Sequence, residues 1–477
     1  MYQEILKISK RRGLMYPSFE IYGGLSGFYD YGPVGSRIKQ NIENLIREYY
    51  VLDEEFMEVE CPILSPQDVW VASGHLDNFT DKLTECVKCG EPYRADHLVE
   101  DKLGVGCDHM SVTQLNDNII KYKISCPKCG GRLDKVYDYN LMFKTYVGPG
   151  KYKVCSYLRP ETAQSTYLSF KRYWEVGRKK LPFGVLQIGR SFRNEISPRK
   201  GMVRLREFNQ AEIQVFVDPE AKNAPRFDEL SSMEVDVLDG EDKEHQTTLS
   251  GAMDGGLIDN QLIAYFLGKS VKLFKEMGIN PDALRLRQHK DDERAFYSSD
   301  TWDIEYLSPS LGRIELVGVS DRTDYDLTQH SKLSGANMQV SLDGRKFTPH
   351  VIEIAYGIDR PFYCVIESAF HQDDKRTYFS FPPKTAPYTA AVYPLVRKDN
   401  IPEKAREVYD NLREKGVMAL YDRTGSIGKR YARADEIGVP YCITVDYDSL
   451  KDDTVTIRFR DSMQQERVKI KEIPSKF

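Results

Sequence analysis

Two apolar segments joined by a densely charged loop constrain the fold of this chain more than any other feature. The segments 183–192 (FGVLQIGRSF) and 211–217 (AEIQVFV) are rich in β-branched and aromatic residues. This composition predicts two strands of a buried antiparallel sheet. The loop between them contains Pro198 and Gly201, so the chain is expected to build a sheet domain around this strand pair.

The stretch 193–212 places cations and acids together at the inner ends of these strands. They are Arg193, Arg199, Lys200, Arg204 and Arg206 with Glu195, Glu207 and Glu212. A solvated charged hairpin is one interpretation, because runs of charge usually face water. Charges at the ends of buried strands need partners, however, and one cleft could offer phosphates to the arginines and an ammonium group to the glutamates.

Length and charge set wider limits on the function. A chain of 477 residues should hold about three domains. Its net charge of -5 does not indicate a nucleic-acid binder, yet residues 171–206 contain eleven Lys and Arg against two Glu, whereas 218–244 is acidic. A local basic surface can still bind phosphates, because screening confines electric fields to about 8–10 Å.

The sequence also predicts where the protein works. No segment approaches the roughly 18 consecutive apolar residues of a membrane span, and the N-terminus has no apolar signal core, so we expect a soluble cytoplasmic protein with no membrane partner. Nine cysteines, four of them in two CxxC pairs, fit metal ligation in a reducing compartment better than a disulfide framework.

The two CxxC pairs predict a structural zinc site. The four thiolates of a tetrahedral site would come from Cys86, Cys89, Cys126 and Cys129. The gap between the pairs is longer than the usual ~15–20 residues, so Cys107 or His109 could replace one ligand, and a module without metal is the alternative. The other cysteines are expected to be small core residues, namely Cys61, Cys155, Cys364 and Cys442.

The remaining sequence suggests how the chain is organised. Residues 36–50 have apolar side chains at helical spacing and precede a strand that stops at Pro62. Residues 219–296 begin polar and acidic and then turn helical, which favours an insertion rather than core. From about Tyr388, alternating strand and helix patterns indicate a separate α/β domain with mostly parallel strands. The stretch 425–430 (GSIGKR) lacks the spacing of a phosphate loop, so a helix start is favoured there.

Three stretches, taken in order along the chain, resemble the signature motifs of class II aminoacyl-tRNA synthetases. They are the helix and strand ending at Pro62, FRNE at 192–195 and GIDR at 357–360. Further stretches resemble the dimeric glycyl-tRNA synthetase family. They are YGGLSGFYDYGPVG, SGHLDNFTD, ECVKCGEPYRADH, LMFKTYVGP, RPETAQ, RNEISPR with REFNQAE, SDRTDYDLTQH and PHVIEIAYGIDR. The CxxC module is similar to the archaeal and eukaryotic branch of that family.

The resemblance implies an α+β fold. It would comprise an antiparallel catalytic sheet flanked by helices, a small zinc-binding insertion and a C-terminal α/β anticodon-binding domain, with a homodimer formed through the first motif. The expected segments are 1–85, 136–218 and 297–386 for the catalytic domain with its three motifs, 86–135 for the zinc-binding insertion, 219–296 for the acidic and helical insertion, and 387–477 for the anticodon-binding domain.

The resemblance also implies an activity. Glycine and ATP would give glycyl-adenylate and pyrophosphate, and glycine would then pass to the terminal adenosine of tRNA(Gly). A class II synthetase for another small amino acid is one alternative, and a non-catalytic nucleic-acid-binding paralogue is another. The presence of Arg193, Arg204 and Arg360 argues against the second alternative, because a pure binder needs no ATP site.

Attack of a carboxylate on ATP needs no general base, because the nucleophile is already ionised at pH 7, so catalysis rests on positioning and charge. The resemblance assigns Arg193 to the α-phosphate and the substrate carboxylate, and Arg204 and Arg360 to the distal phosphates and the adenine face. It assigns Phe208 to stacking on adenine and Glu195 to the adenine amino group. It assigns Glu315, with help from Glu353, to binding Mg²⁺. Arginine suits these roles because its planar fork binds two phosphate oxygens and stacks on rings.

Glycine offers only an ammonium and a carboxylate for recognition. The resemblance assigns the ammonium to Glu161, Glu212 and Glu353, and makes Arg322 a second substrate arginine. The chain departs from the family at Ala355, where a serine is usual, and at Thr323, where a glycine is usual. We expect Ala355 to lie against the glycine and to enlarge the pocket slightly, and we expect Thr323 to fill part of that space.

Overall fold

The structure is a computed structural model that describes residues 1–107, 109–198, 201–291, 293–295 and 297–476. Within these residues the largest element is a nine-stranded sheet, antiparallel except for two parallel pairs. In spatial order its strands are Glu244–Thr248, Glu234–Leu238, Leu284–Gln288, Asp300–Ser308, Gly312–Asp321, His350–Gly357, Glu207–Val217, Phe183–Phe192 and Met57–Val59. The predicted antiparallel catalytic sheet is therefore confirmed.

Alternation along the central strands decides what each face of the sheet carries. In Glu207–Val217 the side chains of Ala211, Ile213 and Val215 belong to the main apolar core, while the polar residues between them point to the opposite face. The core face is covered by the helices Tyr2–Arg12, Gly35–Arg47, Gln261–Met277 and Asp359–Ala369. One end of the other face is covered by Ala163–Leu168, Phe170–Val176 and Tyr325–Ser334, and the rest of that face is left for a site.

The segment 219–296 differs from the prediction of an insertion. Its strands Glu234–Leu238 and Leu284–Gln288 belong to the nine-stranded sheet, and its helix Gln261–Met277 buries apolar side chains such as Phe266 and Phe274 in the main core. The segment begins with polar and acidic residues because its strands lie near the sheet edge, where solvent reaches alternate residues. This composition suggested an insertion.

Two small three-stranded sheets lie before the motif that contains FRNE. One consists of Thr80–Glu85, Pro92–Arg94 and Tyr137–Asn140, and the other of Leu64–Pro66, Lys144–Val147 and Val154–Leu158. The first sheet carries the cysteine module, with helices Ala95–Leu103 and Val112–Lys121. The second of these helices starts at a capping box formed by Ser111 and Gln114.

The C-terminal part forms its own sheet, as predicted, and four of its five described strands run in one direction. Among the described residues the order is Ala419–Tyr421, Ala390–Pro394, Tyr441–Val445, Thr454–Phe459 and Gln465–Lys469. The first three strands are parallel, the fourth runs antiparallel to the third, and the fifth runs antiparallel to the fourth. The helices are Ile401–Glu414, Ile427–Asp435 and Ser449–Asp452. Ser426 caps the second helix, so GSIGKR is a helix start, as predicted.

The remaining elements are short. They are the strand pairs Met15–Pro17 with Tyr29–Tyr31, Val340–Leu342 with Arg345–Phe347 and Phe370–Gln372 with Thr377–Phe379, and the helices Gln67–Ala72, His75–Asn78 and Leu249–Asp254. Across the described residues, no helix combines the length and the apolar composition that a membrane crossing requires.

Candidate active site and cysteine cluster

A cleft of about 410 Å³ opens on the uncovered face of the nine-stranded sheet. Its wall contains most of the residues that the sequence predicted for nucleotide and glycine binding: Glu161, Arg193, Glu195, Arg204, Phe208, Glu212, Glu315, Glu353, Ala355 and Arg360. Arg322 lies behind this wall. Arg199 and Lys200 lie outside the described residues. Charges from distant parts of the chain therefore share one concave site.

Strand register explains why these side chains meet. Glu212 is paired directly with Ala355, and Ala355 is paired with Gly318 on its other side. Directly opposed residues project from the same face of a sheet. Gly318, Ala355 and Gly357 thus give the cleft a floor of small residues. A Cβ atom on Gly357 would meet nothing closer than 4.0 Å, so the small floor is not forced by backbone packing at that position.

One end of the cleft, the carboxylate end, consists of the buried acids Glu161, Glu212 and Glu353. Glu212 accepts hydrogen bonds from the Thr162 backbone N–H (2.9 Å) and hydroxyl (2.6 Å). Burial, followed by the charges of Glu353 and Glu161, raises the pKa of Glu212 to about 8. Burial likewise raises the pKa of Glu353 despite the opposing charge of Arg322. This end therefore carries more acid than its surroundings neutralise.

Glu161 is held differently from the other two acids. Its carboxylate lies 3.3 Å from His75 Nε2 and accepts a 2.9 Å hydrogen bond from the Gln164 amide. Ser73 Oγ lies 2.8 Å from the other ring nitrogen of His75. Although burial favours the neutral acid, His75 and Arg322 outweigh it and lower the pKa of Glu161. Glu161 is therefore the acid most firmly held in its charged form.

Arg322 is 1% exposed and pairs with protein carboxylates. Its Nε and Nη2 donate to Asp326 at 2.8 and 2.9 Å, and its Nη1 donates to Glu353 at 3.0 Å. The guanidinium also stacks 4.0 Å from the centre of the Tyr297 ring, which lines the cleft. In this arrangement Arg322 holds Glu353 in place from behind the wall.

Thr323 also lies outside the cleft wall, contrary to the expectation that it fills space beside Ala355. It sits where Gly312–Asp321 ends, with φ of 53°, and its backbone N–H donates to Asp321 Oδ1 (3.0 Å). Positive φ strains a β-branched residue and suits glycine. The residue type at position 323 therefore affects the backbone conformation there and not the volume of the cleft.

The other end of the cleft, the arginine end, consists of Arg193, Arg204 and Arg360 and is partly exposed. The Arg193 guanidinium lies 5.3 and 5.2 Å from the ring centres of Phe79 and Phe208. Its Nε donates to the Pro160 carbonyl (3.2 Å), and among the described residues the two terminal nitrogens are left for a ligand.

Arg360 is anchored by three oxygens. Its Nε donates to the Val203 carbonyl (3.1 Å), and its Nη1 lies 3.1 Å from the Glu315 carbonyl and 3.0 Å from the Glu315 carboxylate. The charge of Arg360 is the largest influence on Glu315 and lowers its pKa. Glu315 remains about half exposed and can therefore face a bound ligand. Glu353, expected to assist Glu315, is instead engaged with Arg322 and Gln214.

Two charges of the opening stretch do not belong to the cleft wall. Arg206 donates to the Glu195 carbonyl (3.0 and 2.8 Å) and to the Ser26 carbonyl (3.0 Å), so it fastens the loop to the N-terminal segment. Glu207 pairs with Arg190. Burial raises the pKa of Glu195, which remains in the wall among Arg204 and Arg193. The mixed charges of this stretch are therefore divided between the cleft wall and the structure of the loop.

Four thiols form the only cluster with metal-ligand geometry among the described residues. The Sγ atoms of Cys86, Cys89, Cys126 and Cys129 all lie within 4.8 Å of one another. Two of the separations are 3.5 and 3.7 Å, close to the edge of about 3.8 Å that a tetrahedron with 2.3 Å zinc–sulfur bonds requires. The donor set and its spacing therefore fit Zn²⁺.

Glycine follows each CxxC pair and shapes the cluster. Gly90 and Gly130 have φ of 69° and 67°, and their N–H groups donate to the carbonyls of Cys86 and Cys126. Neither proposed replacement ligand is part of the cluster: Cys107 donates its thiol to the Val105 carbonyl, and His109 is exposed. Of the cysteines expected in cores, Cys364 and Cys442 are buried, whereas Cys61 and Cys155 are partly exposed.

Sequence reasoning missed several residues of the site. His75 holds Glu161, and Asp81 and Arg94 line the arginine end. All three lie in stretches that resemble the synthetase family, SGHLDNFTD and YRADH, yet neither stretch gave a role to a particular side chain. Gln210 donates to Glu212 Oε1 (2.8 Å). The sequence feature that could have identified Gln210 was its polar side chain within a buried strand.

The sheet, the cleft and the separate C-terminal domain define a class II aminoacyl-tRNA synthetase. Residues 153–369 match the family model "tRNA synthetase class II core domain (G, H, P, S and T)", and residues 389–477 match "Anticodon binding domain". The chain belongs to the glycine–tRNA ligase family. It is 41% identical to the glycine–tRNA ligase of Methanothrix thermoacetophila, covering 98% of this chain and 95% of that protein, and 41% identical to that of Methanocaldococcus jannaschii, covering 99% and 98%.

Solved structures of other synthetases share the fold. A prolyl-tRNA synthetase from Cryptosporidium parvum, complexed with L-proline and AMP, gives a TM-score of 0.59 at 15% identity, covering 100% of this chain and 76% of that one. A threonyl-tRNA synthetase structure from the same organism gives 0.62 at 17% identity, with coverage of 99% and 97%. At this identity the likeness concerns the fold alone.

Proposed function

We propose that this cleft joins glycine to AMP and then transfers glycine to tRNA(Gly). The observation that carries the proposal is the division of one cleft into a buried carboxylate end and a partly exposed arginine end. An amino acid whose ammonium lies among the acids would direct its carboxylate towards the arginines. The names of the relatives, glycine–tRNA ligases, support the choice of amino acid.

The first step needs only alignment and charge. An oxygen of the glycine carboxylate attacks the α-phosphorus of ATP, the bond from that phosphorus to the bridging oxygen breaks, and pyrophosphate leaves with the electron pair. In the second step a ribose hydroxyl of the terminal adenosine of tRNA attacks the glycyl carbonyl carbon, the bond from that carbon to the phosphate oxygen breaks, AMP leaves with the electron pair, and the hydroxyl proton is released. Fixed positive groups that face developing negative charge stabilise such transition states.

The arginine end would hold ATP. We assign Arg193 to the α-phosphate and the glycine carboxylate, because its fork is fixed by Pro160 and two aromatic rings while its terminal nitrogens are available. Arg204 and Arg360 would hold the distal phosphates and the adenine face, Phe208 would stack on adenine, and Glu195 would accept from its amino group.

The carboxylate end would hold glycine. Glu161, Glu212 and Glu353 surround the position of an ammonium, and we assign Arg322 to holding Glu353 instead of contacting the substrate. Ala355 would lie beside the glycine Cα because it is paired with Glu212 in the sheet. One methylene changes the discrimination between two amino acids by only ~1–3 kcal/mol. Selection of glycine must therefore depend on the small residues of the floor together with the fixed acids.

Two metal ions would bind to the protein, Mg²⁺ at the arginine end of the cleft and Zn²⁺ at the cysteine cluster. Glu315 presents a half-exposed carboxylate at the arginine end, which suits Mg²⁺ because that ion is usually bound by one or two carboxylates and the substrate phosphates. Bound there, Mg²⁺ would neutralise phosphate charge. Zn²⁺ would be held by the cysteine cluster in a structural role, and elemental analysis should find about one zinc per chain.

The assembly and location follow from the same reasoning. We propose a homodimer formed through the helix Gly35–Arg47 and its following strand, as the resemblance implies. Thiolate ligation of zinc requires reduced cysteines, and no disulfide joins the cysteines of the described residues, so we place the protein in the cytoplasm. The C-terminal domain would bind the anticodon part of tRNA(Gly).

Exchange of radiolabelled pyrophosphate into ATP tests the proposal. Glycine should support exchange, while alanine and serine should support it at least about tenfold less well, as the loss of about 1.4 kcal/mol of binding would require. Exchange that is equal with the three amino acids, or absent with glycine, contradicts the assignment. Charging of tRNA(Gly) transcripts with labelled glycine then tests the second step separately.

A further inference from the structure

The hairpin that carries the first cysteine pair runs from the cleft to the metal site. Its strands are Thr80–Glu85 and Pro92–Arg94, and the turn between them contains Cys86 and Cys89. The backbone N–H of Cys86 donates to the Glu91 carbonyl (3.0 Å) and closes that turn. Asp81 lies five residues before Cys86, which is about 16 Å along an extended strand. The two sites are thus joined by one short element.

Neighbouring residues of the second strand contact the two sites. The Tyr93 hydroxyl lies 3.2 Å from Cys126 Sγ, whereas Arg94 lines the cleft. Arg94 pairs with Asp96 through two nitrogens and lies 3.3 Å from Asp81 Oδ1. Since successive side chains of a strand point to opposite faces, movement of this strand would change both contacts at once.

Arg94 and Asp81 face the loop that carries Glu195 and Arg204, and all four residues line the cleft. Asp81 and Arg94 shift the pKa of Glu195 in opposite directions, and Arg204 lowers that of Asp81, although burial dominates both groups. Asp81 Oδ2 is buried and has no hydrogen-bond partner among the described residues. The pair therefore acts on the nucleotide end of the cleft electrostatically.

A second link ties the module to the same loop. Asn194, between Arg193 and Glu195, donates its backbone N–H to the Leu141 carbonyl (2.7 Å) and its side-chain amide to the Tyr139 hydroxyl (2.5 Å). Tyr139 lies on Tyr137–Asn140, which pairs with the hairpin strand Thr80–Glu85. The loop that would hold ATP thus rests on the sheet of the cysteine module.

We propose that metal binding at the four cysteines and nucleotide binding in the cleft are coupled, with Arg94 and Asp81 as the positioning residues. The inference rests on the proposed function, because it needs an adenylate in the cleft. A metal that fixes the turn after Glu85 also fixes Arg94 against Asp81 and Glu195. Coupling of this kind is reciprocal, so an adenylate must in turn stabilise the bound metal.

Release of zinc to a colorimetric chelator tests the coupling. The full chain is loaded with Zn²⁺, and release is followed without Mg²⁺, with and without a non-hydrolysable glycyl-sulfamoyl adenosine. We expect the analogue to slow release about fivefold, because the lower end of usual coupling factors is a fivefold change in affinity and affinity changes are expressed mostly in the dissociation rate. In Arg94→Gln the ratio of the two rates should fall to about one. Lys82→Gln is the matched control, because Lys82 lies on the other strand of the same hairpin and pairs with Asp138 outside the cleft wall.

Asp81→Asn keeps the inference testable if Arg94→Gln does not retain zinc. That variant leaves the pair of Arg94 with Asp96 intact and removes only the charge that faces the cleft, so it should lower the ratio while retaining zinc. Equal slowing in the wild type and Asp81→Asn overturns the proposal. So does a wild-type chain that binds the analogue by calorimetry without slower zinc release. A chain that does not bind the analogue fails the proposed function, and this inference fails with it.

Discussion

The two ends of the cleft are built in opposite ways. At the carboxylate end, Glu161, Glu212 and Glu353 are buried and each is held by neighbouring groups. At the arginine end, Arg193 and Arg360 are partly exposed and are fixed through backbone carbonyls, and Arg360 alone of the two also pairs with a carboxylate, that of Glu315. Carbonyl anchors orient an arginine without neutralising it. One end is therefore preorganised around a small cation, and the other keeps positive charge ready for phosphates.

The difference shows how each end of the cleft is arranged before its ligand binds. Burial, and after it the repulsion from Glu353 and Glu161, raises the pKa of Glu212 to about 8. An ammonium that enters removes this repulsion. The arginine end has no comparable strain, because solvent screens its charges until a phosphate replaces the water. Glycine binding should thus depend strongly on protonation, and ATP binding should depend more on individual arginines.

The largest effect is expected from removing the arginine that would serve both ends. Arg193→Ala should lower glycine-dependent pyrophosphate exchange by about 10²–10³-fold, because a transition-state contact of this type is worth ~3–4 kcal/mol. The thermal unfolding temperature and tRNA binding should change little. Undiminished exchange would remove Arg193 from the mechanism. Arg206→Ala, which alters the loop anchor, separates loss of chemistry from loss of loop structure.

The carboxylate end can be weakened alone through His75. His75→Ala removes the partner of Glu161, and hydrogen bonds to charged groups contribute about 1.5–3 kcal/mol. The KM for glycine should therefore rise about 10- to 100-fold while the KM for ATP stays within about twofold. Steady-state exchange kinetics measure both constants. His371→Ala, outside the cleft, should behave as wild type, and a parallel rise in both constants would refute a separate carboxylate end.

Protonation of Glu212 should give a smaller but characteristic effect. Below a pKa of about 8 the free protein holds a proton that an ammonium must displace, so kcat/KM for glycine should rise by up to about tenfold per pH unit between pH 6 and 8. A carboxyl with a raised pKa favours the folded state at low pH, and this contribution is lost as the pH rises through about 8. Unfolding temperatures without ligand should fall accordingly.

Glu212→Gln is the control for both pH effects. The amide cannot titrate, so the pH profile of the remaining activity and of the unfolding temperature should flatten across that range. A profile that keeps its shape in Glu212→Gln would assign the titration to another group of the carboxylate end, such as Glu353.

The smallest effect is expected at the floor between the two ends. Ala355→Ser restores the residue usual in the family and adds one hydroxyl beside Glu212. Glycine activation should stay within about tenfold of wild type and any alanine activation should fall, because a small loss of space discriminates by only ~1–3 kcal/mol. Exchange assays with both amino acids give the ratio. An alanine-to-glycine ratio that is unchanged or higher rules the idea out.

Much of the local structure could be predicted from the sequence because it depends on local periodicity. A local content of β-branched and aromatic residues predicted the strands on both sides of the charged loop, and helical spacing predicted Gly35–Arg47 and Gln261–Met277. Periodicity did not reveal that the second helix covers the main sheet, because its strands at 234–238 and 284–288 find their partners only in the folded sheet. The prediction of an insertion was therefore wrong.

The sequence by itself determined the chemistry that this protein carries: four thiols in two glycine-terminated turns, arginines that suit phosphates, and acids within buried strands. Only the tertiary structure decided which charges meet. It paired His75 with Glu161, turned Arg322 towards Asp326 and Glu353, and brought Arg94 to the arginine end of the cleft. Such pairs join residues far apart in the chain, and their geometry follows from strand register and helix packing, which local sequence patterns do not encode.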